Sequence, residues 1–346
     1  MILTYKIKHN LDLSSELKKA RSVAIYALKN KSRTSKDVKH IGLKSVISNQ
    51  ILKKYSCNKK LKRIGSVKLT IPNQGIKFDK ENNIINIPCL KLTLNYQFNN
   101  NFSKINQIEL DKKYAFISAS IQEEPITIST EYIGIDRNAT SHIAVCAFPN
   151  GKVLKLGKKT QHIHNKYKHI RKQLQKKLKY KKVKKIKNRE SRIVRDLNHK
   201  ISKKVVNVAK QNNWGIKLEQ LKGIRKTKKQ NKSFKSTLHS WSFYQLEQFI
   251  EYKSKLLGVS VIYIHPAYTS QKCSRCGVIG TRTKKEFYCT NCGVVEHADV
   301  NAAFNIAKAS PIELESIVQL NIESDIFKGN TDIPKEAIQV NYPILK

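Results

Sequence analysis

The stretch Tyr132–Gly157, YIGIDRNATSHIAVCAFPNGKVLKLG, decides the reading of the chain. Its runs YIGIDRNA, HIAVCAF and KVLKLG are apolar and rich in β-branched residues, so each reads as a strand. PNG between the last two is a hairpin signal, with a glycine free to take the turn. Consecutive antiparallel strands of this kind make one half of a sheet. Asp136 falls at the exposed end of the first run.

Outward from this core, two helical segments follow. One carries Tyr167, Ile170, Leu174 and Leu178; the other carries Ile193, Leu197, Ile201, Val205 and Val208, at spacings of three or four. WGIKLEQL (Trp214–Leu221) is a short buried strand in which one acid, Glu219, interrupts an apolar run. A helix from about Leu238 to Leu257, the strand VSVIYIHP (Val259–Pro266) and a helix from about Asp299 to Ala309 complete the series. The order βββ-α-β-α-β-α is that of a ribonuclease-H-like sheet, interrupted before its last helix.

The interruption, residues 268–297, carries four of the seven cysteines. YTSQKCSRCG and YCTNCG place Cys273, Cys276, Cys289 and Cys292 in a C-x2-C-x12-C-x2-C pattern. Each short pair aims two thiolates at one centre, and Gly277 and Gly293 permit the tight backbone behind it. Four sulfurs suit tetrahedral Zn²⁺ with no open position, so the expected zinc is structural. His297 is a further candidate ligand that four cysteines make unnecessary. Cys57, Cys89 and Cys146 read as buried small hydrophobes.

Residues 1–130 read as a barrel-like nucleic-acid-binding module with a helical insertion. MILTYKIK is a strand, Ser14 caps a helix, and Ser35 opens a second helix through Ile41, Val46, Ile47, Ile51 and Leu52. SVKLTI, NIINI, LKLTLNYQF and YAFISASI then read as short strands. The tail, 310–346, has no strong periodicity and reads as loosely ordered.

Composition narrows the function. Sixty-seven Lys+Arg against 25 Asp+Glu give the 346 residues a net charge of +42, which points to a polyanionic partner, nucleic acid first. No apolar run approaches the ~18 residues that span a bilayer, and MILTYKIKHN lacks the layout of a signal peptide. No membrane is expected, and the protein should be cytoplasmic and nucleoid-associated. Paired cysteines in that compartment more often hold metal than form disulfides.

Asp136, Glu219 and Asp299 each have a plain reading, as turn residue, strand-end charge and helix cap. In a sheet of the order above, however, the first and fourth strands are neighbours and the last helix crosses them. Three carboxylates meeting there repel unless cations sit among them, and hard oxygens favour Mg²⁺ or Mn²⁺. Two such ions would serve phosphodiester hydrolysis.

With GIDRN, RDLNHKISKKVV (Arg195–Val206), IKLEQL, YTSQKCSRCG, YCTNCG and HADVNAAFNIA in place, residues 131–309 resemble the TnpB proteins. These are OrfB-type products of insertion sequences, related to type V CRISPR effector nucleases. The resemblance implies an α+β or α/β chain whose split, RuvC-type nuclease domain uses Asp136, Glu219 and Asp299 and carries an inserted four-cysteine zinc ribbon. It implies RNA-guided DNA cleavage, with a guide RNA transcribed from the transposon end. Some relatives have lost the acids and act as RNA-guided repressors; all three acids are present here. A nuclease-silent RNA-guided or direct DNA-binding regulator and an accessory transposition factor are the alternatives.

Two basic stretches complete the expected contacts. Lys166–Arg192 holds fourteen Lys or Arg and one acid, within a basic helical segment at 165–210. From it, Lys172, Lys176, Lys177, Lys181, Lys182, Lys185 and Arg189 are candidate nucleic-acid contacts. KGIRKTKKQNKSFK (Lys222–Lys235) adds Arg225, Lys226, Lys228 and Lys229. Charge this one-sided gains nothing from i,i+4 pairing, so phosphates are its natural counterions. Lysines grip backbone, while guide pairing would read the bases. Tyr167, Tyr180, Trp214, Trp241 and Tyr244 are expected to pack more than to stack on bases.

Overall fold

The computed structural model describes residues 1–58, 61–98, 100–139, 141–221 and 242–309. Two compact units divide the chain, Met1–Glu123 and Glu124–Lys346.

In the first unit, β1 (Ile2–Lys8) leads into α1 (Ser14–Asn30), a 3₁₀ turn (Ser35–Ile41) and α2 (Ser45–Tyr55). The single helix expected from Ser35 is broken because Gly42, at φ 72°, takes the left-handed region and ends its first piece. Six strands follow: β2 (Leu69–Pro72), β3 (Lys77–Asp79), β4 (Ile84–Ile87), β5 (Leu92–Asn95), β6 (Phe102–Leu110) and β7 (Tyr114–Ile121). With β1 they form two antiparallel sheets, β1-β7-β6-β2 and β3-β4-β5, where one barrel-like unit was expected. Strand β6 escaped the sequence reading because two register shifts break its alternation.

The second unit is built on a five-stranded sheet in the order β10-β9-β8-β11-β12. Its strands are β8 (Tyr132–Arg137), β9 (Ala144–Ala147), β10 (Val153–Leu156), β11 (Gly215–Glu219) and β12 (Val261–Ile264). The first three run antiparallel, and β11 lies parallel to both β8 and β12. Alternation along β8 and β11 sends Ile133, Ile135, Ile216 and Leu218 to one face. There they share a core with Val205, Val206 and Ala209 of α5 (Arg189–Gln211) and Leu246 and Ile250 of α6 (Phe243–Leu256). The other face carries Gly134, Asp136, Lys217 and Glu219. It is covered by α7 (Ala298–Lys308), whose Val300 and Ala303 pack on Val145 and Ala147 of β9.

Between β10 and α5 run α3 (Lys159–Lys176) and α4 (Tyr180–Ile186). Leu178, expected on an apolar helix face, lies in the break between them at φ 52° and is exposed. Three short strands, β13 (Thr281–Thr283), β14 (Glu286–Tyr288) and β15 (Val295–His297), make an antiparallel ribbon just before α7. Among the described residues no helix is long and apolar enough to cross a membrane.

Candidate metal centre

Helix α7 sits closer to the sheet than side chains ordinarily allow. A Cβ on Gly134 would stand 2.1 Å from the Ala303 carbonyl oxygen and 2.3 Å from the Ala307 nitrogen, so only glycine fits. The buried Lys217 holds the far end of the helix. Its Nζ donates to the carbonyl oxygens of Ala307 (3.0 Å) and Ala309 (2.6 Å), which the helix itself leaves without donors. At the near end, His297 Nδ1 accepts from the Asp299 backbone N–H at 3.3 Å, and the Ala298 N–H donates to the Lys285 carbonyl at 2.8 Å. His297 is therefore the helix cap, the role that the plain alternative reading of the sequence gave to Asp299.

This frame sets the three acids on facing elements. Asp136 (β8), Glu219 (β11) and Asp299 (α7) are exposed by only 9%, 8% and 1%, which is unusual for carboxylates. Burial, then the charges of Glu219 and Asp299, push the Asp136 carboxyl up to about 7, against relief from Asn138 and Lys285. Burial likewise raises Glu219, opposed by its hydrogen bond from Thr269 and by Arg137 and Arg282. Asn138 Nδ2 donates to Asp136 Oδ2 at 2.8 Å. The guanidinium of the buried Arg137 pairs with Glu247 and donates to the Glu219 backbone carbonyl, fixing the end of β11 to α6.

The ribbon sends cations into the same place. Lys285 Nζ donates to both carboxylate oxygens of Asp299, at 2.9 and 2.7 Å, and Arg282 lies 3.5 Å from Oδ1. Buried carboxylates with hard oxygen donors, two of which raise the proton affinity of Asp136, suit a divalent cation. Asp299 is meanwhile satisfied by the ribbon's ammonium.

The four cysteines form a tighter group. Among the described residues only Cys273, Cys276, Cys289 and Cys292 bring their donor atoms within 4.8 Å of one another; the three carboxylates are more widely spaced. Sγ separations are 3.6 Å (Cys273–Cys292) and 3.4 Å (Cys276–Cys289), against about 3.8 Å for tetrahedral zinc thiolate. Gly277 N–H bonds the Cys273 carbonyl at 2.9 Å, and Gly293 N–H bonds that of Cys289 at 3.0 Å. Both glycines have positive φ, 78° and 69°, so the two turns repeat one geometry. The quartet can hold a metal ion such as zinc.

Of the other cysteines only Cys146 is buried; Cys89 is half-buried and Cys57 is exposed beside Arg33, against expectation. Lys172, Lys176, Lys177, Lys181, Lys182, Lys185 and Arg189 are all exposed, on α3, its C-terminal break, α4 and the first turn of α5. Arg225, Lys226, Lys228, Lys229, Trp241 and the tail 310–346 lie outside the described residues. Tyr167 is buried and Trp214 stacks on Phe148 (5.9 Å), whereas Tyr180 and Tyr244 are exposed.

The family model described as Cas12f1-like, TNB domain, matches residues 243–306. The chain is 38% identical over 160 residues to a TnpB-like protein of Methanocaldococcus jannaschii, covering 44% of this chain and 58% of that one. It is 41% identical over 114 residues to the CRISPR-associated endodeoxyribonuclease Cas12f1 of Sulfoacidibacillus thermotolerans, covering 32% and 26%. It is 26% identical over 265 residues to the putative RNA-guided DNA endonuclease InsQ of Escherichia coli, covering 68% and 64%. A solved Cas12f1 chain from a complex with sgRNA and target DNA aligns at a TM-score of 0.44 and 17% identity, over 89% of this chain and 99% of that one. The family-model match and these relatives support a TnpB-family assignment, although the chain spans less than two thirds of the length of the curated relatives it matches.

Proposed function

We propose that the chain is an RNA-guided DNA endonuclease of an insertion sequence, with a ribonuclease-H-like, RuvC-type second unit hydrolysing phosphodiesters at Asp136, Glu219 and Asp299. The observation that carries this reading is the convergence of three buried acids, distant in sequence, on one face of the five-stranded sheet. Mg²⁺ or Mn²⁺ held there, two ions in the full site, would supply an activated water and charge stabilisation at the leaving 3′ oxygen. The products would carry 5′-phosphate and 3′-hydroxyl ends.

The chain's own residues set the conditions for that chemistry. Asp136 and Glu219 offer oxygens from adjacent parallel strands, and Arg137 fixes the backbone that carries Glu219. Lys285 and Arg282 keep the apo cluster neutral enough to fold, since three unpaired buried charges would be costly. The zinc of the cysteine quartet is structural in this reading, because four thiolates leave it no open position. The exposed lysines of α3 and α4, with Arg189, give phosphate contacts for guide RNA and DNA. One relative named as a putative RNA-guided DNA endonuclease and one named as a CRISPR-associated endodeoxyribonuclease support the choice of guide and target.

The test is sequencing of RNA that co-purifies with the protein expressed from its native locus, then incubation of that complex with matching DNA and Mg²⁺. One discrete RNA with a constant part and a variable end, and cleavage lost in Asp136→Ala while DNA binding persists, is the expected result. Heterogeneous RNA, or cleavage by Asp136→Ala near the original rate, overturns the reading.

A further inference from the structure

The segment joining β12 to the first cysteine pair touches both the sheet acids and α7. Thr269, 6% exposed, lies four residues before Cys273 and belongs to neither the carboxylate set nor the cysteine set. Its Oγ1 stands 2.5 Å from Glu219 Oε1 and 3.1 Å from the Pro266 carbonyl oxygen. A hydroxyl has one proton to donate, and an ionised carboxylate is the stronger acceptor of the two. The bond therefore holds one Glu219 oxygen in place and leaves the other free to ligate.

The backbone of the same residue is gripped from the helix. Asn305 Nδ2 donates to the Thr269 carbonyl at 2.8 Å and to the Lys272 carbonyl at 2.7 Å. Asn301, fully buried and one turn earlier, donates to that Lys272 carbonyl at 2.7 Å and accepts from the Ser274 N–H at 2.8 Å. Ser274 and Lys272 flank Cys273. One continuous path thus runs from the first cysteine turn, through two asparagines on one face of the helix bearing Asp299, to the hydroxyl on Glu219. An asparagine pair at i and i+4 on a helix is a weak stability choice unless both amides have fixed work to do.

We propose that Thr269 is a positioning residue that sets the Glu219 carboxylate for metal binding, and that Asn301 and Asn305 register it to Asp299 and to the cysteine turn. The inference deepens the proposed function and rests on its carboxylate metal centre. It assigns the wedge of the zinc ribbon against α7 a purpose: folding the ribbon fixes the relative placement of two acids that come from different elements. Residues that orient metal ligands in this way typically change metal affinity by about 10–100-fold when removed.

The experiment measures Mn²⁺ binding to the full chain, zinc-loaded and free of nucleic acid, by calorimetry and by the Mn²⁺ electron paramagnetic resonance signal. Thr269→Val, which keeps the shape and removes the hydroxyl, is expected to weaken Mn²⁺ binding about tenfold or more with zinc content unchanged. Thr269→Ser restores binding, which a packing role would not do. Asn305→Ala leaves the hydroxyl and frees the carbonyl, so it weakens binding in the same direction; being half-buried, it keeps the test open if Thr269→Val does not fold. Asp136→Ala is the reference for the metal centre itself. Loss of Mn²⁺ binding in Asp136→Ala, with wild-type binding in zinc-replete Thr269→Val, overturns the positioning role and leaves the metal centre standing. Equal weakening by Thr269→Ser and Thr269→Val also overturns it. Unchanged Mn²⁺ binding in Asp136→Ala overturns the metal centre, and the positioning role with it.

Discussion

Replacing Gly134 by alanine should damage the acid site without touching an acid or a cysteine. The new methyl would stand 2.1 Å from the Ala303 carbonyl oxygen, 2.3 Å from the Ala307 nitrogen and 2.8 Å from the Ala307 Cα. All three are helix backbone, so no side chain can rotate away. Ordinary contact requires α7 and β8 to separate by roughly 1 Å or more. The helix cannot retreat as a whole, because Lys217 grips its last carbonyls and the Lys285 carbonyl its first N–H. The cost should lie at the upper end of overpacking, about 3 kcal/mol. In a unit of this size that lowers the Tm by roughly 6–12 °C. A shift of the helix by roughly 1 Å moves Asp299 against Asp136 and Glu219, enough to reduce cleavage about 100-fold in the molecules that remain folded. Thermal unfolding, zinc content and cleavage rate at saturating Mg²⁺ check the three parts together. A Gly134→Ala protein with the wild-type Tm and full activity would refute the close approach as the reason for glycine.

Further outcomes concern charge and metal. In protein free of divalent ions other than zinc, Asp136 titrates near 7 when folded and near 3.9 when unfolded. The native state then holds a proton that the unfolded chain has lost, so the contribution of Asp136 to stability is greatest below about pH 4 and falls as pH rises to about 7. The raised Glu219 acts in the same direction. Asp136→Asn should flatten that slope in urea midpoints taken across the range, and an equally steep slope in the variant would contradict the assignment. Cys273→Ser should lose zinc, open residues 268–297 to proteolysis and abolish cleavage, because the ribbon supplies the Lys285 carbonyl that starts α7. Full cleavage by zinc-free protein would count against that coupling.

The sequence by itself determined the chemistry-bearing elements. Apolar, β-branched runs marked YIGID and IKLE as strands, each carrying one acid, and a spacing of two between cysteines leaves little choice but one metal turn each. Those signals are local, carried by neighbours within a few residues, and they survive without knowledge of the fold. Tertiary structure decided what lies between elements. Gly134 looked like any strand glycine, and its reason is a helix more than 160 residues away in the chain. Lys217, which the sequence reading passed over, proves to cap that helix. His297 read as a spare ligand because its capping geometry depends on where β15 turns into α7. Lys285 gave no sign of pairing with Asp299, since the ribbon's hairpin brings them together. Strand β6 hid behind two bulges, and the break at Gly42 split a helix whose apolar spacing ran on unbroken. In each case the deciding contact is long-range, and its energy exists only once two distant segments have packed.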